Sequence, residues 1–384
     1  MTIKSIGRRI RLALVGGGPG SIIGETHRIA ARLDGQYDIV ASALASDPGR
    51  ARQAGMDLGI AAERAYGSWQ EMLQRESVRP DRADVVAIMT PNDSHYDICM
   101  QALDGGFHVI CDKPLAHSLA AAREIAAKVR ASQSEFCVTY CYSGYPMVRQ
   151  ARDMVAAGDL GEIRQVHLQY IQGYFAEHDL PAGWRTQGKR SGESLVLMDI
   201  GTHAFHLGGF VTGLDVARVC ADLGSAIPGR EVDDYVGALM HYANGARGTL
   251  YVTNAAAGSE HGLSFRIHGD KGGLEWHQEE PNKLVHRRVG EFEQTITRRL
   301  GPETSQGAQQ STRIAIGHPE GYFEAFANLY SEFASRVADR LANRDLRGKP
   351  TLYPGVIDGV KGLAFVAASV ESARTGGWED VAIE

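Results

Sequence analysis

Short apolar runs alternate with longer segments of helical periodicity over the first 140 residues. The predicted strands are 10–15, 37–44, 85–89, 107–111 and 136–140, and the predicted helices are 26–33, 48–58, 69–76, 94–103 and 119–131. Strands and helices that alternate at this spacing form right-handed βαβ units, whose parallel sheet is covered on both faces. We therefore predict an α/β, doubly wound nucleotide-binding domain over residues 1–140.

A different pattern follows residue 140. Two predicted helices, 146–157 and 199–211, accompany strands with alternating polarity at 162–174, 217–224, 234–242, 247–253, 263–268 and 273–276. Turn signals at Ala243-Asn244-Gly245 and at 269–273 join neighbouring strands as hairpins. Long amphipathic helices at 319–341 and 356–373 close the chain, and 295–317 is predicted as a surface excursion. These patterns predict an α+β domain over 141–384, with an open, largely antiparallel sheet and helices on one face.

The first predicted strand runs into a glycine cluster, "LALVGGGPGSIIGETHRIAARL". A glycine-rich turn between a strand and a helix lets backbone approach a pyrophosphate, and the helix N-terminus favours negative charge. Ser21 stands where the third glycine of G-x-G-x-x-G would fall, and Gly24 comes three residues later, so the loop is a lengthened variant. The predicted cofactor contacts here are Gly16, Gly18, Pro19, Gly20, Ser21 and Ile22.

The second strand lacks a carboxylate at its tip and reaches an acidic residue only at Asp47. An acid at the tip grips the ribose of NAD, and its absence leaves room for the 2′-phosphate of NADP. Ser46 and Arg50 could receive that phosphate, whereas Asp47 could reach the ribose hydroxyls or simply cap the next helix. The sequence leaves NAD and NADP both open.

Polar residues follow two further strands at the edge where doubly wound sheets bind ligands. Thr90, Pro91, Asn92 and His95 follow the third strand, and "CDKP" (residues 111–114) follows the fourth. Pro91 and Asn92 also suit a strand terminator and a turn. Lys113 is harder to explain as a solvated charge, because Pro114 restricts its backbone. We predict that both groups, with Asp112, lie at the nicotinamide end of a cofactor.

A carboxylate and two imidazoles recur at helical spacing in "MDIGTHAFH". A helix that starts near Asp199 places Asp199, His203 and His206 on one face. A neighbouring carboxylate and imidazole form a general acid–base unit near neutral pH. Two other readings stay open. His203 could be a core histidine with Asp199 as a helix cap, or the three side chains could hold zinc, although no further ligand stands at recognisable spacing.

Composition narrows the class of partner. The chain has 384 residues, a formal net charge of -6 and 43% hydrophobic residues. This balance gives no reason to expect nucleic acid or an anionic membrane, so a small molecule is the expected partner. Five cysteines without paired metal spacing favour reduced thiols in the cytoplasm. No run of 18 apolar residues is present, so we expect no membrane-spanning segment.

Aromatic and cationic residues near the start of the second domain suit substrate recognition. "YCYSGYP" supplies Tyr142 and Tyr145, and "GWRTQGKRSGES" supplies Trp184, Arg185 and Arg190. Such groups would bind a polyhydroxylated ring, and the cations would suit an anionic sugar such as a uronate or a sulfosugar. A solvated basic loop is the alternative reading.

The ordered set of motifs resembles the Gfo/Idh/MocA oxidoreductases, which include inositol dehydrogenases and glucose-fructose oxidoreductase. The resemblance implies a Rossmann domain and a second domain whose open sheet often forms the oligomer interface, hence a homodimer or homotetramer. Lys113 matches the lysine of the E-K-P motif, with Asp112 replacing glutamate, and Asp199 and His203 match the D-x-x-x-H pair. His206 stands where relatives often carry Asp or Asn. "HRIAARL" (27–33) and "GHPEGYFEAFANLYSEF" (317–333) resemble one branch of the family.

The resemblance implies hydride transfer between NAD(P) and a secondary hydroxyl of a sugar, sugar derivative or cyclitol. Such a site needs a base and a cation at one hydroxyl: His203 would take the proton, Asp199 would orient it and Lys113 would stabilise the oxygen. Some relatives are instead NAD-dependent glycoside hydrolases, which oxidise, eliminate, hydrate and reduce again. His206 or a tyrosine of 140–145 could supply the extra base that this route needs. A non-catalytic NAD(P)-binding protein would be expected to lack the lysine or the histidine.

Overall fold

The computed structural model describes residues 5–177, 190 and 192–383, and these fall into two compact units. The first unit comprises Met1–Cys141 and Phe326–Gly359, and the second comprises Tyr142–Ala325 and Val360–Glu384. The chain thus returns to the first unit late in the sequence. The predicted boundary at residue 140 does not include that return.

The first unit contains a five-stranded parallel sheet in the order β2-β1-β3-β4-β5. Its strands and helices up to residue 141 are β1 Ile10–Gly16, α1 Ile22–Leu33, β2 Tyr37–Ala43, α2 Pro48–Asp57, α3 Trp69–Ser77, β3 Val85–Met89, α4 His95–Asp104, β4 His108–Cys111, α5 Leu119–Ala131 and β5 Phe136–Val138. Every residue of β3 and β4 is buried, because both faces of the sheet are covered. The predicted doubly wound domain is confirmed.

A nine-stranded sheet, in the order β13-β12-β11-β10-β6-β9-β8-β7-β14, forms the second unit. Its strands are β6 Ile163–Ile171, β7 Val216–Gly224, β8 Tyr235–Tyr242, β9 Arg247–Thr253, β10 Gly262–Gly269, β11 Gly272–His277, β12 Lys283–Arg288, β13 Gln294–Thr297 and β14 Glu379–Asp380. The helices after residue 141 are α6 Pro146–Ala156, α7 Thr202–Thr212, α8 Gln306–Ser311, α9 Tyr322–Leu341 and α10 Val356–Thr375. Neighbours pair antiparallel except β6 and β9, which confirms a largely antiparallel sheet.

Only one face of this sheet is covered by helices in the described structure. Alternate residues of β6 (Val166, Leu168 and Tyr170) are buried on the side where α7 packs. On the opposite face Tyr251 and Leu239 are partly exposed. Both predicted hairpins are present, joining β8 to β9 and β10 to β11. Within the described residues, no helix is both long and apolar enough to cross a lipid bilayer.

The predicted surface excursion at 295–317 is wrong in part. It contains the end of β13 and the whole of α8, and Ala308 and Ser311 are fully buried. Ser311 Oγ accepts a hydrogen bond from Arg149 Nη1 at 2.7 Å, and the Arg149 side chain is itself buried. The polar composition of this segment predicted a surface position. Its polar groups can nevertheless be buried because they hydrogen-bond to each other.

The late return of the chain docks on β5. Arg340 and Tyr353 both hydrogen-bond the carboxylate of Glu135, which immediately precedes this strand. The Val138 amide donates to the Pro354 carbonyl at 2.9 Å. Residues 326–359 therefore cover the β5 edge of the parallel sheet and pair one of its backbone amides, which an open edge would leave exposed.

We predict that His108 makes the protein less stable as the pH falls from about 6.5 towards 4. Its Nδ1 accepts the Glu135 amide at 2.9 Å, and burial lowers its pKa to about 4. An unfolded histidine binds its proton near pH 6.5, so the unfolded chain binds more protons across this window. This residue should remove about 2 kcal/mol of unfolding free energy between pH 7 and pH 4.5.

Urea denaturation at both pH values measures this effect. His108→Asn keeps a hydrogen-bond acceptor but does not titrate, so its stability should fall less with pH than that of the wild-type protein. His318→Asn, at an exposed position, is the matched control and should keep the wild-type pH dependence. Equal pH dependence in His108→Asn and the wild-type protein would contradict the prediction.

Candidate functional site

The predicted glycine loop follows β1 and has a backbone that side chains would disrupt. Gly16, Gly17 and Gly20 have φ values of 76°, 63° and 82°, in the left-handed region that favours glycine. A Cβ on Gly18 would lie 2.5 Å from the Leu44 carbonyl oxygen. The loop therefore presents bare backbone beside the start of α1, which is the arrangement that binds a pyrophosphate.

Gly24 performs the close packing that the third glycine of the motif normally provides. A Cβ on Gly24 would lie 2.0 Å from the Gly17 carbonyl oxygen. Ser21 occupies the N-cap of α1, where its hydroxyl accepts the Gly24 amide at 3.1 Å. Ile22, the first residue of α1, is 83% exposed. The lengthened loop thus divides two roles between a capping serine and a later glycine.

Arg28 fixes the loop from α1, which the sequence did not predict. Its Nη1 donates to the Gly17 carbonyl oxygen at 2.6 Å, and its side chain is buried. Burial lowers the pKa of this guanidinium. The residue could not be recognised from sequence, because its partner is a backbone carbonyl whose direction depends on the glycine conformations.

The structure assigns Asp47 to the helix cap. Its Oδ1 accepts the Arg50 amide at 2.8 Å at the start of α2, where Pro48 is the first helical residue. Ser46 and the Arg50 side chain are exposed beyond the end of β2. Ser46 and Arg50, the predicted contacts for a 2′-phosphate, are thus accessible. The Asp47 carboxylate beside them already accepts a hydrogen bond from a backbone amide.

His95, predicted as a cofactor contact, connects two strand ends in the structure. Its Nδ1 lies 2.9 Å from the Pro114 carbonyl oxygen and its Nε2 lies 2.8 Å from the Thr90 carbonyl oxygen. Burial is the main cause that lowers its pKa. Since both ring nitrogens face carbonyl oxygens, this residue holds the segments after β3 and β4 together.

Thr90, Pro91 and Asn92 remain at the edge where they were predicted. Thr90 accepts a hydrogen bond from the Ser94 hydroxyl at 2.8 Å. A Cβ on Gly16 would lie 2.7 Å from Thr90 Cγ2, so the end of β3 lies directly beside the glycine loop. Asn92 is buried in the short turn that leads into α4.

Asp112 and Lys113 follow β4, and Asp112 is held as an anion. Its amide donates to the Ile88 carbonyl oxygen, and its Oδ1 accepts the Thr139 hydroxyl at 2.6 Å. His27 Nε2 lies 4.0 Å from the same oxygen. Burial favours the neutral acid, but His27, Lys113 and Thr139 together hold the pKa of Asp112 far below its usual range. Lys113, joined to Pro114 by a cis peptide bond, therefore lies next to a fixed negative charge.

In the second unit, Asp199 lies on a π-turn, Leu197–Gly201, directly before α7. The Thr202 amide donates to the Leu197 carbonyl oxygen, five residues back. Inserted turns of this kind are frequent at functional sites. The prediction that a helix starts near Asp199 is wrong, because helical backbone already begins at Leu195.

The true helix start is capped by side chains that the sequence did not predict for this role. Ser194 Oγ accepts the Leu197 amide at 3.1 Å. The Asp233 carboxylate accepts the Leu195 and Val196 amides at 2.8 and 3.2 Å. These contacts satisfy donors that a helix start leaves unpaired. Asp199 is therefore not the cap of this helix, whereas the reading of His203 as a core histidine stays open.

His203, in the first turn of α7, is buried among aromatic rings. The ring of Tyr142 meets it edge-on, with centroids 4.8 Å apart. The Tyr142 hydroxyl lies 2.7 Å from that of Tyr170, which in turn lies 3.4 Å from His261 Nδ1. The second unit thus places the predicted Tyr142 against the predicted His203 and adds Tyr170 beside Tyr142.

Two predicted substrate residues have other neighbours. Tyr145 is only 1% exposed and packs on Trp276 with centroids 5.4 Å apart, so in this structure its side chain lies in the core, and its role as a substrate contact stays a prediction. His206 is buried, and its ring stacks on Phe210 at 5.9 Å. The predicted substrate-binding cluster of Trp184, Arg185 and Arg190 is not described as a whole. Trp184 and Arg185 lie outside the described residues, and Arg190 is described alone and is partly exposed.

Metal binding finds no support in the part of the chain that the structure describes. Among those residues, no group of three or more His, Cys, Asp or Glu side chains is arranged to hold an ion. The reading of Asp199, His203 and His206 as zinc ligands therefore lacks the geometry that it needs.

Comparisons with known proteins agree with both units. Residues 10–140 match the model of an oxidoreductase family with an NAD-binding Rossmann fold, and residues 148–275 match the model of the GFO/IDH/MocA C-terminal domain. An uncharacterised oxidoreductase of Bacillus subtilis is 35% identical over 97% of both chains. Levoglucosan dehydrogenase of Pseudarthrobacter phenanthrenivorans is 26% identical over 97% of this chain and 98% of that protein.

A solved structure is also similar over nearly the whole chain. It is an inositol dehydrogenase homologue from Azotobacter vinelandii complexed with NADH and myo-inositol. The two chains are 36% identical, the TM-score is 0.89, and the match covers 98% of each.

We predict that Gly24→Ala weakens binding of NAD by about 10-fold or more, because the added Cβ must displace the Gly17 carbonyl from the loop. Isothermal titration with NAD measures the affinity. Gly209→Ala in α7 is the matched control, since its Cβ would meet its nearest neighbour, the Leu214 carbonyl oxygen, at an ordinary 3.7 Å. Unchanged affinity in Gly24→Ala would show that the close packing does not shape the binding loop.

Proposed function

Because the chain belongs to the Gfo/Idh/MocA family of oxidoreductases, with an NAD-binding Rossmann fold, we propose that it is a dehydrogenase of sugars or cyclitols. It would transfer a hydride between a nicotinamide cofactor and a secondary hydroxyl. The observation that carries this proposal is Lys113, the lysine of the family motif, beside the fixed anion of Asp112 at the carboxyl edge of the sheet. Relatives named for levoglucosan and inositol support the substrate class.

The residues after β1 suit the cofactor. The glycine loop is a cradle that any side chain would fill, and it opens onto the capped N-terminus of α1. We propose that its backbone amides receive the pyrophosphate, while Thr90 and Asn92 line the nicotinamide end. Bound NAD would supply the hydride acceptor. We propose NAD in preference to NADP, since the similar inositol dehydrogenase homologue is complexed with NADH.

The protein's own residues would handle the proton and the charge. We propose that an imidazole nitrogen of His203 takes the proton of the substrate hydroxyl, with Asp199 orienting the ring. The Lys113 ammonium would donate to the same oxygen and stabilise the negative charge that develops there. The edge-on contact of Tyr142 restricts the ring of His203, which supports a fixed base.

We predict that Lys113→Ala and His203→Ala each lower turnover by about 100- to 10,000-fold, because each removes a group that acts on the reacting hydroxyl. Affinity for NAD should change little. Initial rates of NADH formation and titration with NAD measure the two quantities. Lys128→Ala is the matched lysine control: it removes an ion pair with Asp104 on the surface of the same unit. Near-wild-type turnover in Lys113→Ala or His203→Ala would refute the assignment.

We predict net formation of NADH when the protein is given NAD and neutral cyclitols or anhydrosugars. The panel would include myo-inositol, levoglucosan, neutral and anionic sugars, and nitrophenyl glycosides, each with NAD and with NADP. Absorbance of reduced nicotinamide and of nitrophenol separates two reactions. Release of nitrophenol without net NADH would instead support an NAD-dependent glycoside hydrolase, the alternative that the sequence left open.

A further inference from the structure

A histidine of α1 and a tyrosine of α9 contact each other inside the first unit. His27 begins the segment "HRIAARL" in α1, and Tyr330 lies within residues 317–333 in α9. His27 Nδ1 lies 2.7 Å from the Tyr330 hydroxyl, and the Phe326 ring meets the imidazole edge-on with centroids 4.8 Å apart. His27 is 0% exposed and Tyr330 is 1% exposed. This contact is therefore a buried polar pair.

The Tyr330 hydroxyl defines which nitrogen of His27 carries the proton. Burial raises the pKa of Tyr330 well above its ordinary value, so the hydroxyl keeps its proton and can donate it to Nδ1. A neutral imidazole that accepts at Nδ1 carries its proton on Nε2. The opposite tautomer would aim the Nε2 lone pair at the Asp112 carboxylate, which is unfavourable.

The other side of the His27 ring faces the carboxylate beside Lys113. Nε2 lies 4.0 Å from Asp112 Oδ1, and it has no hydrogen-bond partner among the described residues. Leaving a buried donor unpaired is destabilising, so a purely structural role does not account for this orientation. Thr139 donates to the same carboxylate oxygen at 2.6 Å. Asp112 thus accepts a hydrogen bond from one hydroxyl and faces one imidazole, and both of these partners are buried.

We propose that Tyr330 and His27 are positioning residues for Lys113. Tyr330 fixes the tautomer of His27, and the Nε2–H dipole of His27, 4.0 Å from Asp112 Oδ1, holds the carboxylate next to the lysine by electrostatic attraction. The proposal rests on the proposed function, in which Lys113 acts on the substrate hydroxyl. It also gives Asp112, which replaces the glutamate of the family motif, two specific partners in this chain.

Four variants separate positioning from packing. Tyr330→Phe removes the hydroxyl and keeps the ring, and His27→Leu removes both ring nitrogens. His27→Gln keeps an N–H that can donate to Asp112. Tyr37→Phe is the matched control, because the Tyr37 hydroxyl donates to the Tyr330 backbone carbonyl at 2.8 Å and is equally buried, but does not contact His27.

The expected kinetic result is a change in kcat alone. Tyr330→Phe and His27→Leu should lower kcat by about 10-fold, while KM and the affinity for NAD stay within about twofold of wild type. His27→Gln should stay within about threefold of wild type, and Tyr37→Phe should lose stability with little loss of kcat. The proposal is overturned if His27→Gln is as impaired as His27→Leu, or if Tyr330→Phe behaves as Tyr37→Phe does.

A spectroscopic measurement tests the tautomer independently of turnover. Histidine-labelled protein examined by ¹⁵N–¹H correlation should show the Nε2–H form of His27, assigned by loss of its signals in His27→Gln. Tyr330→Phe should shift it towards a mixture of tautomers, and Tyr37→Phe should not. An Nδ1–H form in the wild type, or an unchanged spectrum in Tyr330→Phe, would overturn the proposal. If Lys113→Ala keeps full turnover while the tautomer of His27 depends on Tyr330, the proposed function of Lys113 fails. The positioning of Asp112 by Tyr330 and His27 then remains.

Discussion

The charge of Asp112 is the constraint on which the first unit depends. A carboxylate that is largely removed from water must be paired and hydrogen-bonded, or it becomes neutral. Thr139, after β5, donates to it, and His27, from α1, faces it. Because these partners come from different elements, the sheet and the first helix must be assembled before Lys113 has a fixed neighbour. The site is thus a consequence of the packing of the whole unit.

The segment that returns to the first unit, residues 326–359, makes two kinds of contact there. Residues 326–359 cover the edge of the parallel sheet through Glu135 and β5, and they also deliver Tyr330 to His27. An edge strand could be covered by many sequences, whereas the contact with His27 requires a hydroxyl at one position. The same segment therefore covers the sheet edge and also contacts the histidine that faces Asp112.

The features that could be predicted from the sequence are those that depend on residues close together in the chain. The parallel sheet, both hairpins and the strand ends that carry the glycine loop and Lys113 follow from periodicity and turn residues within short windows. Contacts between distant segments were not predictable. The start of the helix before α7 is set by Asp233, which lies 38 residues after the amide that it caps. The packing of Tyr145 on Trp276 was not predictable either, because a single aromatic residue can bind a sugar ring or fill a core.

The π-turn that carries Asp199 follows the same physical logic. A helix with an inserted residue can relax by sliding its register, unless both of its ends are fixed. Here Ser194 and Asp233 hold the beginning, and Gly213, in the left-handed region at φ 70°, ends α7. With both ends held, the extra residue stays between Leu197 and Gly201, directly before His203. The position of Asp199 relative to the imidazole is therefore determined by groups at the two ends of this helical segment.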